Sequence, residues 1–74
     1  MPRRPRISGR EAVRAFEKAG WGVPRQRGSH VVLTKPGSIY TLSIPLHRVL
    51  APGLFRDQIR KAGLTVAEFI ELRT

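Results

Sequence analysis

Apolar residues recur along this chain with two different periods, and the change of period divides it into elements. Between residues 8 and 20, Ala12, Val13, Phe16 and Ala19 are spaced at three and four, while Arg10, Arg14, Glu17 and Lys18 fall on the opposite side. That is the signature of an amphipathic helix. Ser8 stands three residues before Glu11 as a capping box, Ile7 can staple onto Ala12, and Gly20 supplies the left-handed exit. From Trp21 the period shortens. Trp21 to Arg27 reads as a strand that Pro24, lacking an amide donor, confines to a sheet edge or a bulge. Gly28-Ser29 is a two-residue hairpin turn, His30 to Lys35 a second strand, and Pro36-Gly37-Ser38 a further turn. Ile39 to Ile44 is a third strand with Tyr40, Leu42 and Ile44 on one face, ended by Pro45. A loop from Leu46 to Pro52 leads to a helix after Gly53, with Phe55, Ile59 and Ala62 inward, Asp57 supporting Lys61, and Gly63 as its stop. Thr65 and Glu68 form a second capping box that opens a short last helix carrying Val66, Phe69, Ile70 and Leu72.

The expected fold is therefore α+β, in the order helix, three strands, helix, short helix. The helices pack on one face of a three-stranded antiparallel sheet and leave the other face for a ligand or partner. A chain of 74 residues has room for one core, so residues 1–6 read as a flexible basic arm and residues 7–74 as a single domain. At this size about 60% of the unfolded surface is buried, which leaves no space for a deep cofactor pocket. No cofactor is expected.

Charge narrows the class of partner. Fourteen Lys and Arg against five Asp and Glu give +9, and eleven of the fourteen are arginine, whose planar fork pairs with phosphate bidentately. That exceeds what solubility asks of a small domain and points to a polyanion, with nucleic acid foremost. Cysteine is absent, which removes disulfides and thiolate metal sites. The longest apolar runs are three residues, such as Val31 to Leu33, so no membrane span is expected. A capped amphipathic helix follows the basic start where a signal peptide would have an apolar stretch, and the expected location is the cytoplasm.

The stretch Arg25-Gln26-Arg27-Gly28-Ser29-His30 sets a group that moves protons near neutral pH beside two fixed cations, a combination suited to phosphate ester chemistry. The competing reading is a surface histidine in a tight turn. Taken together, Ser8-Gly9, Lys18-Ala19-Gly20-Trp21, Arg25 to His30, Ile44-Pro45-Leu46-His47, Gly53-Leu54-Phe55-Arg56 and Ala62 through Phe69 resemble the HicA (YcfA-like) toxin family of bacterial toxin-antitoxin systems over residues 7–72. The resemblance implies a double-stranded-RNA-binding-domain-like fold and mRNA-cleaving activity. It also implies that Gly28-Ser29-His30 is the active-site motif with His30 as catalytic histidine, and that a HicB-type antitoxin covers it. Leu54 stands where the family often has threonine, and Val49 to Pro52 is less lysine-rich than in many members.

RNA carries its own nucleophile, so cleavage needs a base for the 2′-hydroxyl proton, an acid for the leaving 5′-oxygen, and cations for the charged phosphorane. No metal is required. His30 is the candidate for base or acid, and Arg25, Arg27 and Arg48 for RNA binding. His47, the other histidine, is the candidate for the complementary proton transfer, or else a loop residue that shapes the turn after Pro45. Ser29 reads as a turn residue, since no carboxylate is placed to complete a triad. Metal catalysis fits poorly because all five carboxylates fall on predicted helices and two histidines seventeen positions apart are a thin ligand set. Trp21 and Tyr40 suit the core better than base stacking, and the charged helix faces read as solvated surface. Three alternatives compete: a non-catalytic RNA-binding module, a ribosomal or scaffold protein acting through charge, and a helix-turn-helix around Ala62 to Thr65. The last carries Glu68 and Glu71 against Arg73 in its reading helix, the wrong sign for a DNA groove.

Overall fold

In the computed structural model, which describes residues 6–73, helix α1 (Gly9–Lys18) starts at the capping box expected from the sequence. The Ser8 hydroxyl accepts from the Glu11 amide at 3.1 Å, and the Glu11 carboxylate accepts from the Ser8 amide at 3.3 Å. Residues 1–5, most of the expected basic arm, and residue 74 lie outside the described residues. Ala12, Ala15 and Phe16 are completely buried, whereas Val13 and Ala19, expected inside, are only half-buried. The reason is Gly9. It is itself buried, one turn ahead of Ala12 and Val13, and it centres the inward stripe on positions 9, 12, 15 and 16. The helix start approaches the end of the third strand so closely that a Cβ on Gly9 would overlap the Pro45 carbonyl oxygen. The Gly9 amide donates to the His47 carbonyl at 2.9 Å, which satisfies one of the free donors of the first turn.

Strands β1 (Gly22–Arg27), β2 (His30–Thr34) and β3 (Leu42–Pro45) form an antiparallel sheet in the order β1-β2-β3. The register Gly22↔Thr34 shifts before Arg25↔Val32, which places Pro24 in a bulge on an edge strand, where a missing amide does no harm. Val31, Leu33, Leu42 and Ile44 are buried against the helices. Two expectations for the third strand are corrected. It begins at Leu42 rather than Ile39, and Pro45 is its last residue rather than the breaker after it. The Tyr40 amide donates to the Ser38 hydroxyl at 3.1 Å, a local side-chain bond that competes with the ladder and holds residues 38–40 as a turn. Tyr40 is consequently 48% exposed and is not a core residue, and Ile39 is 90% exposed.

Helix α2 (Pro52–Lys61) starts with proline in its first turn, two residues earlier than expected. Asp57 pairs with Lys61 at 3.1 Å and with Arg60 at 3.2 Å, and those two hydrogen bonds, Lys61 first, hold its carboxyl below the ordinary aspartate value. Gln58 is the one buried polar side chain among the described residues. Its carbonyl accepts from the Ser43 amide at 3.3 Å, so α2 occupies a donor of β3 that no other strand satisfies. Helix α3 (Val66–Arg73) opens on the Thr65/Glu68 capping box, with bonds of 2.9 and 3.1 Å. Phe69 is fully buried, with its ring 5.2 Å from Phe16 and 4.9 Å, edge-on, from Phe55, so one side chain joins the three helices. Val66 and Ile70 stay exposed because α3 touches α1 and α2 along one narrow side.

Two glycine substitutions test this packing with opposite expected signs. Helix propensity alone favours alanine at both Gly9 and Gly53. Gly9→Ala meets the Pro45 backbone and is expected to lose about 1–3 kcal/mol, the range for overpacking. Gly53→Ala points into open space and is expected to gain about 0.4–1 kcal/mol. Chemical denaturation of both variants reads the difference, and a Gly9→Ala protein as stable as the parent would contradict the close approach.

Candidate functional site

The hairpin register gathers the polar residues of β1 and β2 onto the face of the sheet away from the helices. Val31 and Leu33 point into the core, so His30, Val32 and Thr34 point outward. Arg27 lies directly across from His30 and Arg25 across from Val32, and residues paired in an antiparallel ladder share a face. Cross-strand neighbours have Cβ atoms about 4.5–5.5 Å apart and diagonal ones about 7–8 Å. Arg27 therefore flanks the imidazole, and Arg25 stands one step further along the same surface. All three are exposed, and among the described residues none forms a side-chain hydrogen bond or ion pair.

One backbone angle and two hydrogen bonds fix the turn that presents them. Gly28 takes φ +54°, the positive angle that a two-residue hairpin turn requires at its first central position. The Gln26 side-chain amide donates to the Gly28 carbonyl at 3.2 Å. The Leu46 amide donates to the Ser29 carbonyl at 2.6 Å, which extends the β2–β3 ladder one residue beyond the His30↔Pro45 pair. Ser29 acts here through its backbone, as a turn residue.

His47 and Arg48 follow Pro45 in the connection to α2 and so lie at the same end of the sheet as His30. Both are exposed. The His47 backbone is held by the bond from Gly9, while no hydrogen bond joins either side chain to Arg25, Arg27 or His30. The geometry thus assembles Arg25, Arg27 and His30 and leaves His47 and Arg48 as neighbours on a loop. Trp21 is 3% exposed and belongs to the core, with its indole N–H unpaired among the described residues. No cluster of three His, Cys, Asp or Glu that would hold a metal ion occurs among the described residues, and no helix there is long and apolar enough to cross a membrane.

Sequence reasoning overlooked Gly9, whose burial places the His47 loop. A glycine in the first turn of a helix, where a better helix former would serve, was the available signal. It also set aside Arg10 and Arg14 as solvated surface, although both line a cleft between α1 and the hairpin.

What this arrangement offers is a shallow cationic face with one proton-transfer group at a rigid turn. Residues 9–64 match the family model described as HicA toxin of bacterial toxin-antitoxin. No curated protein matches the chain. Among solved structures, one titled "HicA3 and HicB3 toxin-antitoxin complex" is 31% identical, with 81% of this chain and 98% of that chain covered and a TM-score of 0.64. With the family model spanning most of the sequence and the fold shared with a member of known structure, this chain belongs to the HicA family of bacterial toxin-antitoxin toxins.

Proposed function

We propose that this toxin is a metal-independent endoribonuclease that cleaves mRNA in the cytoplasm, with His30 as the catalytic histidine and a HicB-type antitoxin as the partner that blocks it. The observation that carries the reading is the pairing of Arg27 with His30 on the open sheet face, beside a turn braced by Gln26 and by the Leu46–Ser29 bond. In the proposed reaction the RNA 2′-oxygen attacks the adjacent phosphorus, its proton passes to a base, and the 5′-oxygen leaves with a proton from an acid. The products are a 2′,3′-cyclic phosphate and a 5′-hydroxyl. His30 serves as base or acid, and Arg27, then Arg25, bear the charge that builds on the phosphorane oxygens. In this reading Arg48 holds the adjoining phosphate and His47 supplies the complementary proton, which their position at the same end of the sheet as His30 supports. The titled complex of the similar toxin with HicB3 supports the antitoxin assignment.

Affinity is the first test. If the sheet-face arginines hold RNA, log K falls against log salt with a slope of about −0.7 per phosphate neutralised on a single strand. Arg25→Ala with Arg27→Ala is expected to flatten that slope, measured by fluorescence anisotropy, and an unchanged slope would remove the sheet face from RNA binding.

Chemistry is the second. General acid-base catalysis contributes about 10²- to 10⁴-fold, whereas one neutral hydrogen bond contributes about 1 kcal/mol to binding. His30→Ala is expected to lose cleavage by the former factor while keeping the fold and nearly all RNA affinity, because the residue is exposed and unpartnered among the described residues. Cleavage by the parent is expected to continue in a chelator. Wild-type rates in His30→Ala, or arrest by chelation, would refute the mechanism. Binding without cleavage by either protein would favour a non-catalytic RNA-binding module.

In cells, induced expression is expected to arrest growth with loss of intact mRNA, and co-expression of the antitoxin to relieve the arrest. Normal growth alongside confirmed soluble protein would count against the toxin activity.

A further inference from the structure

The charged surface does not stop at the open face of the sheet. Residue alternation along β1 turns Arg25 and Arg27 to that face and Gln26, cross-strand from Val31, to the helix side. There a cleft of about 300 Å³ separates α1 from the hairpin. Its floor is Val13, Val31 and Leu46, and its rim is Arg10, Arg14 and Gln26. Arg10 and Arg14 are one helical turn apart, so their guanidinium groups share a side of α1. Both are exposed, and among the described residues neither side chain makes a hydrogen bond or ion pair. Glu11, the acid nearest them in sequence, is committed to the capping box with Ser8. Gln26, already fixed on Gly28, sits between Arg25 and Arg27 on the one edge strand that separates the two surfaces.

We infer that this cleft is a second nucleic-acid site, in which Arg10 and Arg14 hold phosphates of a single RNA strand that passes over the β1 edge from the open sheet face. The inference rests on the ribonuclease reading for the identity of the strand, and it concerns residues outside the proposed catalytic group. An apolar floor under a cationic rim matches the alternation of base or ribose with phosphate along such a strand, which neither a free anion nor a lone acidic side chain would use in full. A chain crossing the β1 edge near Gln26 meets arginine on both sides, Arg25 and Arg27 on the open face and then Arg10 and Arg14 at the cleft. An acidic protein segment is the competing occupant of a cationic cleft, and the test separates the two.

The experiment compares the parent with Arg10→Gln/Arg14→Gln and Arg10→Lys/Arg14→Lys. The ligand is a non-cleavable 2′-O-methyl oligonucleotide of about twelve nucleotides, within the usual span of a single-strand site. The substrate for activity is an unmodified dinucleotide, too short to reach the cleft. The glutamine pair is expected to bind the oligonucleotide more weakly and to reduce the salt slope by about 1.4, two phosphates at about 0.7 each. The lysine pair should restore the slope, and both should cleave the dinucleotide at the parent rate with an unchanged unfolding midpoint. An unchanged slope and affinity in the glutamine pair would overturn the inference, as would a loss confined to antitoxin binding. If the parent fails to cleave the dinucleotide yet the glutamine pair still loses slope, the cleft stands while the ribonuclease reading falls.

Discussion

The close approach of Gly9 to the end of β3 is the constraint on which the remaining geometry depends. A helix can begin against a strand terminus at this separation only where no Cβ intervenes, because any side chain would occupy the place of the Pro45 carbonyl oxygen. The contact does three things at once. It centres the α1 stripe so that Ala12, Ala15 and Phe16 fill the interior. It fixes the backbone of His47 through the 2.9 Å bond from the Gly9 amide. It also sets where β3 ends, and β3 in turn clamps Ser29 through Leu46. The turn ahead of His30 is thereby connected, by backbone alone, to the first residue of α1. A parallel tie runs through Leu50, whose amide donates to the Ile7 carbonyl at 2.8 Å just ahead of the capping box.

Core and candidate site divide the sheet between them by alternation. The inward set of β2 and β3, Val31, Leu33, Leu42 and Ile44, meets α1 and α2, and Phe69 locks α3 onto Phe16 and Phe55. Truncating a buried phenylalanine costs about 3–5 kcal/mol in a typical core, a large part of the stability of a domain this small. The outward set carries almost none of that burden, so its residues are free to be chosen for charge and chemistry. Period two enforces the separation, since a slip of one residue would exchange His30 with Val31 and expose the core. The Pro24 bulge keeps the register from Arg25 onward, and Gln58 on Ser43 occupies an edge donor of β3.

Most of this was legible in the sequence because the signals were local. The Ser8/Glu11 and Thr65/Glu68 boxes, the Gly28-Ser29 turn and the edge position of Pro24 each depend on residues within four positions of one another, and each formed as expected. The failures were of a different kind. Tyr40 has the alternation of a strand residue, yet the Ser38 side chain captured its backbone before the ladder could. Gly9 is buried by an approach between residues more than thirty positions apart, which its own lack of a side chain does not announce, whereas Ala15 falls on the helical period of Ala12 and Ala19 and was missed there. The candidate site follows the same division. Arg25, Arg27 and His30 share a face because one hairpin holds all three, while the relation of His47 and Arg48 to them runs through a loop whose course depends on Gly9.

Charge explains why so small a domain keeps its cations apart. A net +9 concentrated on one surface would oppose folding through self-repulsion, and water and salt screen it only beyond about 8–10 Å. Here the arginines near β1 are divided by the sheet: Arg25 and Arg27 stand on one side, Arg10 and Arg14 on the other, with the neutral Gln26 between. On α2 the cations instead have an internal partner, since Asp57 takes both Lys61 and Arg60. The two regions are therefore electrostatically unlike. The α2 surface has one carboxylate shared by two of its three cations, whereas the arginines of the β1 edge have no carboxylate partner among the described residues. A polyanion that follows this edge removes the repulsion on both sides of the strand in a single binding event. Whatever binds the folded state alone also stabilises it by mass action. A polyanion bound at the β1 edge would thus be coupled to the stability of the hairpin that carries His30.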